Sequence, residues 1–312
     1  MKLTFNLTRL TTIFLLLILT TWTSCKKERS NDSNAQEEYA SQASSEADAE
    51  SEIIYNEIFD NVMGVNNDVG MAGTGVFGRA NITSDGSGTT ARTQACPDVT
   101  ITHLDPVNAF PVRIVLDFGT GCTGRDGHLR SGKIIIVYTN RLIIPDAKAT
   151  TTFENFKFDE IKVEGTHIIT NLSTPVSNTN PTLIHKWKVV VDGGKLTKPN
   201  GNYTEWNSIK YIIQLEGSLT PYIPLDDIYK IEGNANGKVK RGDLLIAWRT
   251  EITEPLIKKF SCRWIVKGVL KVTRLNLSTN SPWLAAINYG TGYCDNKAVV
   301  TINGISHEIT LP

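Results

Sequence analysis

Apolar residues recur at every second position along most of the chain after residue 96. In one run, Val112, Ile114, Leu116 and Phe118 are apolar, and Arg113 and Asp117 lie on the opposite face. Successive strand side chains point to opposite faces, so this pattern predicts sheets with one buried and one wet face, typical of antiparallel pairing. Asp-Gly and Asn-Gly pairs, including those in Asp192–Gly194 and Asn236–Gly237, predict turns between about ten to fourteen strands. We expect an all-β fold over residues 96–312, either a sandwich or an extended twisted meander.

A unit bounded by two cysteines occurs twice within that region. The first unit runs from Cys96 to Cys122 and the second from Cys262 to Cys294. In both units an aromatic residue followed by Gly-Thr-Gly stands just before the closing cysteine. Because the layout is duplicated, we expect duplicated bridging, with one disulfide inside each unit. Buried free thiols are the alternative.

A second repeated motif is Lys-X-Glu-Gly, which occurs at residues 162–165 and again at 230–233. It follows the first cysteine unit but precedes the second. The two halves are therefore permuted and not tandem. This order favours one interlocked domain over two independent ones.

Residues 1–24 have the features of a lipoprotein signal peptide. Lys2 and Arg9 provide a positive start, and Ile13–Leu19 is an apolar run too short to span a bilayer of about 30 Å as a helix. Small residues then precede Cys25, which we predict to be acylated and to anchor the protein in a lipid bilayer. An ordinary secretory signal cleaved nearby is the alternative.

The segment after Cys25 is polar and low in complexity. Residues 25–52 are rich in Ser, Ala, Asn and Glu and show no apolar periodicity, which predicts a flexible tether. From residue 53 the apolar side chains fall at helical spacing, and we expect one short amphipathic helix there. A loop rich in Gly, Ser and Thr fills the remainder of residues 53–95.

These features together resemble an uncharacterised family of outer-membrane lipoproteins from the Bacteroidota. The resemblance rests on the start Ser24–Lys27, on Asp117–Cys122 followed by Ser131–Ile134, and on Cys262–Val266 and Cys294–Ala298. It implies an outer-membrane location, on the periplasmic face or at the cell surface. It carries no catalytic residue over to this chain.

Composition and motifs exclude several classes of function. Lys and Arg number 32 and Asp and Glu number 32, without a basic stripe, so we predict no nucleic-acid partner. The five histidines are scattered and form no HxH or HExxH pair, and the cysteines lack zinc spacing. No nucleophile elbow of the form GxSxG is present. We therefore predict no metal, no cofactor and no catalytic residue.

Aromatic residues are the remaining candidates for ligand contacts. Tyr203 and Trp206 lie among polar residues, and Trp283 follows a proline in a Ser- and Asn-rich stretch. Exposed rings beside amides and carboxylates suit the stacking of sugars, so these three are possible ligand-binding residues. Packing of the rings onto the sheet is the alternative.

The sequence thus predicts a membrane-anchored lipoprotein with a non-enzymatic binding or structural role. Its ligand would be a glycan or a protein, and a glycan-binding surface module is one alternative. A hydrolase whose site assembles from separate strands is another. A polar cleft with converging carboxylates would favour the hydrolase, whereas a shallow groove lined by Trp206 or Trp283 would favour glycan binding.

Overall fold

The computed structural model describes residues 25–64, 97–124, 126–174, 184–220, 224–278 and 280–312, with helix side chains from residue 33 onward. The described residues fall into two compact units, residues 25–40 and residues 41–312. The described part of the first unit belongs to helix α1, Cys25–Gly64, which continues into the second. Fourteen strands follow: β1 Asp98–His103, β2 Val112–Asp117, β3 Cys122–Thr123, β4 Leu129–Tyr138, β5 Lys148–Phe158, β6 Ile161–Asn171, β7 Lys186–Thr197, β8 Tyr203–Glu216, β9 Ile228–Arg241, β10 Leu244–Lys259, β11 Ile265–Arg274, β12 Ala285–Thr291, β13 Lys297–Ile302 and β14 Ile305–Thr310. A 3-10 turn, Pro224–Asp226, precedes β9.

All fourteen strands form one open antiparallel sheet. Neighbouring strands follow the order of the chain from β1 to β14, except that β3 pairs only with β4 and β2 therefore pairs with β4 as well. The predicted all-β class is confirmed, and the architecture is the extended meander. The predicted alternation of buried and more exposed positions is confirmed in β2, where Val112, Ile114 and Leu116 are all buried.

Two of the predicted turns are wrong. Asp192–Gly194 lies inside β7, and Asn236–Gly237 lies inside β9. At Gly237 the reason is space, because a Cβ there would stand 2.5 Å from Cζ2 of Trp248. The glycine admits the indole of the neighbouring strand and does not turn the chain.

Helix α1 corrects the prediction of a flexible tether through residue 52. Between residues 41 and 64 every residue is buried except Gln42, Glu46, Glu50 and Asp60, which are half-buried. Side chains from strands as far apart as β4 and β10 contact this part of the helix. The segment lacks an apolar stripe because its buried carboxylates are matched by cations and indoles of the sheet. Low hydrophobicity therefore does not mark it as exposed.

The repeated Lys-X-Glu-Gly motif ends, in both places, in a glycine at which the strand is kinked. Gly165 on β6 and Gly233 on β9 have φ of +111° and +135°, and each lies at a register irregularity with a neighbouring strand. An added Cβ would stand 2.7 Å from the Gly193 carbonyl oxygen at the first site and 2.2 Å from the Ile209 carbonyl oxygen at the second. Bulges with glycine bend a sheet. The repeated motif therefore marks two equivalent bends of the sheet, at Gly165 and at Gly233.

Phe59, near the C-terminal end of helix α1, belongs to an aromatic core. Phe59 packs edge-on against Trp187 at 6.3 Å and against Tyr229 at 6.0 Å, and those two rings are themselves 6.0 Å apart. All three are buried. Such edge-to-face pairs add about 0.5–1.5 kcal/mol each beyond the burial of area. They fix the position of the helix within the sheet.

Candidate functional site

One of the two predicted disulfides is present within the described residues. Cys262 and Cys294 are joined with a Cα separation of 5.8 Å. Cys122 is disulfide-bonded too, and its predicted partner Cys96 lies outside the described residues. The side chain of Cys25, the predicted lipid attachment site, is likewise outside them.

The three candidate aromatic residues do not form one platform. Trp206 is 1% exposed and stacks on Tyr55 at 5.4 Å, so its prediction as an exposed ligand-binding residue is wrong. Tyr203 stands three residues away on the same strand, which places it on the opposite face. Its ring lies 4.7 Å from Nζ of Lys195. Trp283 is half-buried in the connection between β11 and β12, where its carbonyl oxygen accepts a hydrogen bond from Ser41.

Trp206 instead serves the interior, where it binds a buried carboxylate. Nε1 of Trp206 donates to Oδ1 of Asp48 at 2.9 Å, and Nε1 of Trp248 donates to the same oxygen at 3.1 Å. Burial raises the pKa of Asp48 to about 6, although Lys210 and the two indole donors act in the opposite direction. The indole N–H groups of two buried rings thus hold a carboxylate of the helix in the interior.

Further carboxylates of the helix pair with cations of the sheet. Glu52 and Lys210 are 2.8 Å apart and both almost fully buried. Two pairs lie nearer the surface, Glu46 with Arg241 and Glu50 with Lys198, whereas the pair of Asp60 and Lys258 is largely buried. Burial also raises the pKa of Asp60 to about 6, against the field of Lys258. Breaking a buried pair by removing one partner typically costs about 3–5 kcal/mol.

At one end of the helix, two arginines and two carboxylates form a cluster. Glu57 lies 2.5 Å from Nη2 of Arg130 and 2.7 Å from Nη2 of Arg263. Asp126 contacts the same two guanidinium groups at 2.5 and 3.2 Å. Both guanidinium groups also stand over the ring of Phe158. Arg263 directly follows Cys262, and Asp126 stands four residues after Cys122, so Glu57 connects chain segments beside these two cysteines.

A histidine and a carboxylate that the sequence left unrelated meet beside this cluster. Nδ1 of His128 is 2.5 Å from Oδ2 of Asp159, and the other carboxylate oxygen accepts from the backbone N–H of Leu129 at 3.0 Å. An aspartate-bound imidazole occurs in catalytic triads. Here the carboxylate ties the turn between β5 and β6 to the start of β4, which accounts for the pair structurally.

The outer face of the sheet carries a groove of about 840 Å³ over β9, β10 and β11. Its polar wall consists of Asn234, Asn236, Arg249, Glu251, Lys271 and Thr273. Register places Asn234, Glu251 and Lys271 in one row across the three strands. Asn236, Arg249 and Thr273 form the next row. Extra residues of β10 between Glu251 and Leu256 form an irregularity beside this groove, and such bulges bend a sheet locally.

The six polar side chains of this groove make no hydrogen bond or ion pair with any side chain or backbone group of the described residues. On the same outer face, Lys238 lies 2.9 Å from Glu205. We therefore regard the six residues, called the outer groove from here on, as available to a ligand. The sequence did not single them out, because each is an ordinary polar position of an alternating strand.

Within the described residues, no helix is both long and apolar enough to cross a membrane. The same residues contain no group of three His, Cys, Asp or Glu side chains arranged to hold a metal ion. Comparison of the chain with family models, with curated proteins and with solved structures gives no match. Function must therefore be argued from the geometry alone.

Proposed function

We propose that this chain is an exported protein, anchored in the outer membrane through an acylated Cys25, with a non-enzymatic binding role. The outer groove is its binding surface. The proposal is carried by the six polar side chains of that groove, which lie together across three strands and make no hydrogen bond or ion pair within the described residues. Polar groups without partners lose little by leaving water when a ligand satisfies them.

The chemistry of the outer groove fits a hydroxyl-rich ligand that carries a carboxylate. Asn234 and Asn236 each provide both donors and acceptors, and Thr273 adds a hydroxyl group. Arg249 presents a planar fork that binds carboxylates in a bidentate manner. Glycans built from acidic sugars have this combination. This proposal keeps the predicted alternative of a glycan-binding module but moves it away from Trp206.

Binding is favoured over hydrolysis by the number of carboxylates. Glycoside hydrolysis generally uses two carboxyl groups on either side of the scissile bond. Glu251 is the one carboxylate among the described residues that line the groove. Glu251 suits the acceptance of hydroxyl protons.

Calorimetric titration with polygalacturonate fragments tests this role, with neutral dextran as the comparison ligand. Charge-assisted hydrogen bonds contribute about 1.5–3 kcal/mol, so Arg249→Ala and Lys271→Ala should each weaken binding about tenfold or more. Neither side chain has a structural partner, so the thermal midpoint should stay unchanged. Lys238→Ala, on the same face but outside the groove, is the control. Binding that is equal in all four proteins would contradict the assignment of the groove.

Membrane fractionation tests the anchor separately. A multiply acylated cysteine holds a protein firmly, since each buried CH₂ contributes about 0.8 kcal/mol. Cys25→Ala should therefore move the protein from the membrane fraction to the soluble fraction. Membrane association that persists in this variant would refute the lipoprotein assignment.

A further inference from the structure

Strand β1 is an edge of the sheet that is exposed on both faces. It pairs with β2 through six aligned residues without a bulge, and no described strand pairs with its other side. Every residue of β1 is exposed except Val99, which is half-buried. Natural edge strands are usually blunted by lysine, proline or a bulge, and Asp98–His103 contains none of these. From this geometry we infer that β1 pairs with β1 of a second copy of the chain, forming a twofold symmetric dimer.

The hydrogen-bonding direction of each residue follows from the ladder with β2. The backbone N–H of Leu104 donates to the carbonyl oxygen of Pro111 at 2.9 Å, so the groups of Leu104 face β2. Alternation then directs the groups of Thr100 and Thr102 toward β2 as well. The backbone groups of Val99, Ile101 and His103 face the open edge.

A twofold axis at Ile101 satisfies all of those outward groups. Antiparallel pairing about this axis places Ile101 opposite Ile101 of the second copy, and Val99 opposite His103 in both directions. Opposed residues of this type exchange both of their hydrogen bonds, so three such pairs form six bonds. A closed twofold interface of this kind uses the same segment in both copies.

The side chains are also self-complementary in this register. Ile101 is 47% exposed and is aligned with Ile114 of β2, which is fully buried on the inner face. The second copy would cover Ile101 with its own Ile101 and continue the apolar face across the axis. On the other face Thr100 lies opposite Thr102, a favourable cross-strand combination. No like charges are opposed within β1.

Cysteine cross-linking in the membrane tests the register. Opposed residues of a hydrogen-bonded pair have Cα atoms about 5.5 Å apart, within the range of a disulfide. Ile101→Cys should give a covalent dimer on a non-reducing gel, because each new thiol faces its own copy. Val99→Cys should not, because it faces His103, whereas the double variant Val99→Cys/His103→Cys should cross-link again. Ile305→Cys on β14 is the control for the opposite edge.

Sedimentation velocity of the purified protein tests the association without a cross-link. Ile101→Lys places two ammonium groups opposite each other and should weaken dimerisation about tenfold or more. Ile305→Lys, a matched change at the other exposed edge, should leave the dimer intact. A monomeric wild-type protein, or cross-linking through Val99→Cys alone, would overturn the inference. A ladder of higher oligomers would also overturn it, since that outcome indicates pairing of β1 with β14 in an open chain.

Discussion

Asp48 is a carboxylate held without exposed surface between two indole rings. Burial raises its pKa from 3.8 to about 6, so the folded protein binds a proton more tightly than the unfolded chain does. Where the folded state binds more protons, stability falls as pH rises. The contribution of Asp48 to the free energy of unfolding should therefore decrease between about pH 4 and pH 6 and stay low above that range.

Asp48→Asn removes this dependence while keeping an oxygen that accepts from the indoles. Relative to the variant, the wild-type protein should lose roughly 3 kcal/mol between the two ends of the pH window, because one pKa unit corresponds to about 1.4 kcal/mol. Urea denaturation at several pH values measures the difference. Asp117→Asn is the control of opposite sign, since the Gly119 N–H lowers the pKa of Asp117. A wild-type-to-variant difference that is flat with pH would show that folding leaves the pKa of Asp48 unchanged.

Among the elements, the strands were predictable, and the helix was predictable only from residue 53 onward. Alternation such as that of Val112, Ile114 and Leu116 depends only on one face being buried, so it can be read without knowing what covers that face. The burial of helix α1 depends on partners such as Lys210 and Arg130, which stand far away in the chain. No local pattern in residues 41–52 records those partners. The outer groove escaped prediction for a similar reason, since Arg249 and Lys271 are neighbours only through strand pairing.

The contribution of a glycine kink to stability can be measured by substituting the glycine with alanine. Gly233→Ala should destabilise strongly, by roughly 2–4 kcal/mol, because positive φ is strained for alanine and the new Cβ meets the Ile209 carbonyl oxygen. Gly201→Ala is the matched control. Gly201 also has positive φ, of +81°, but no atom lies within 4 Å of the added Cβ, so only the cost of backbone strain remains. Equal destabilisation of the two variants would mean that close approach does not matter at the kink.

At the scale of the whole molecule, the helix buries carboxylates as well as apolar side chains such as Phe59. Cationic side chains from well-separated strands, including Lys210, Lys258 and Arg130, reach inward to its carboxylates. The chain has no net charge, and part of that balance is an acidic helix against a basic inner face. Ion pairs of this kind specify which way the helix lies, because a shift of one residue would turn its carboxylates away from their partners.

The pair of Glu52 and Lys210 tests how strongly charge holds the helix in the sheet. Glu52→Gln leaves a buried ammonium group unpaired, and Lys210→Met leaves a buried carboxylate unpaired, so each should cost about 3–5 kcal/mol. The double variant buries neither charge and should cost clearly less than the sum of the two. Urea denaturation of the four proteins gives the coupling energy. The same cycle on Lys238 and Glu205, which are exposed and 2.9 Å apart, should give a much smaller coupling energy, because solvent screens the pair. Additive costs at Glu52 and Lys210 would mean that packing, and not pairing, positions the helix.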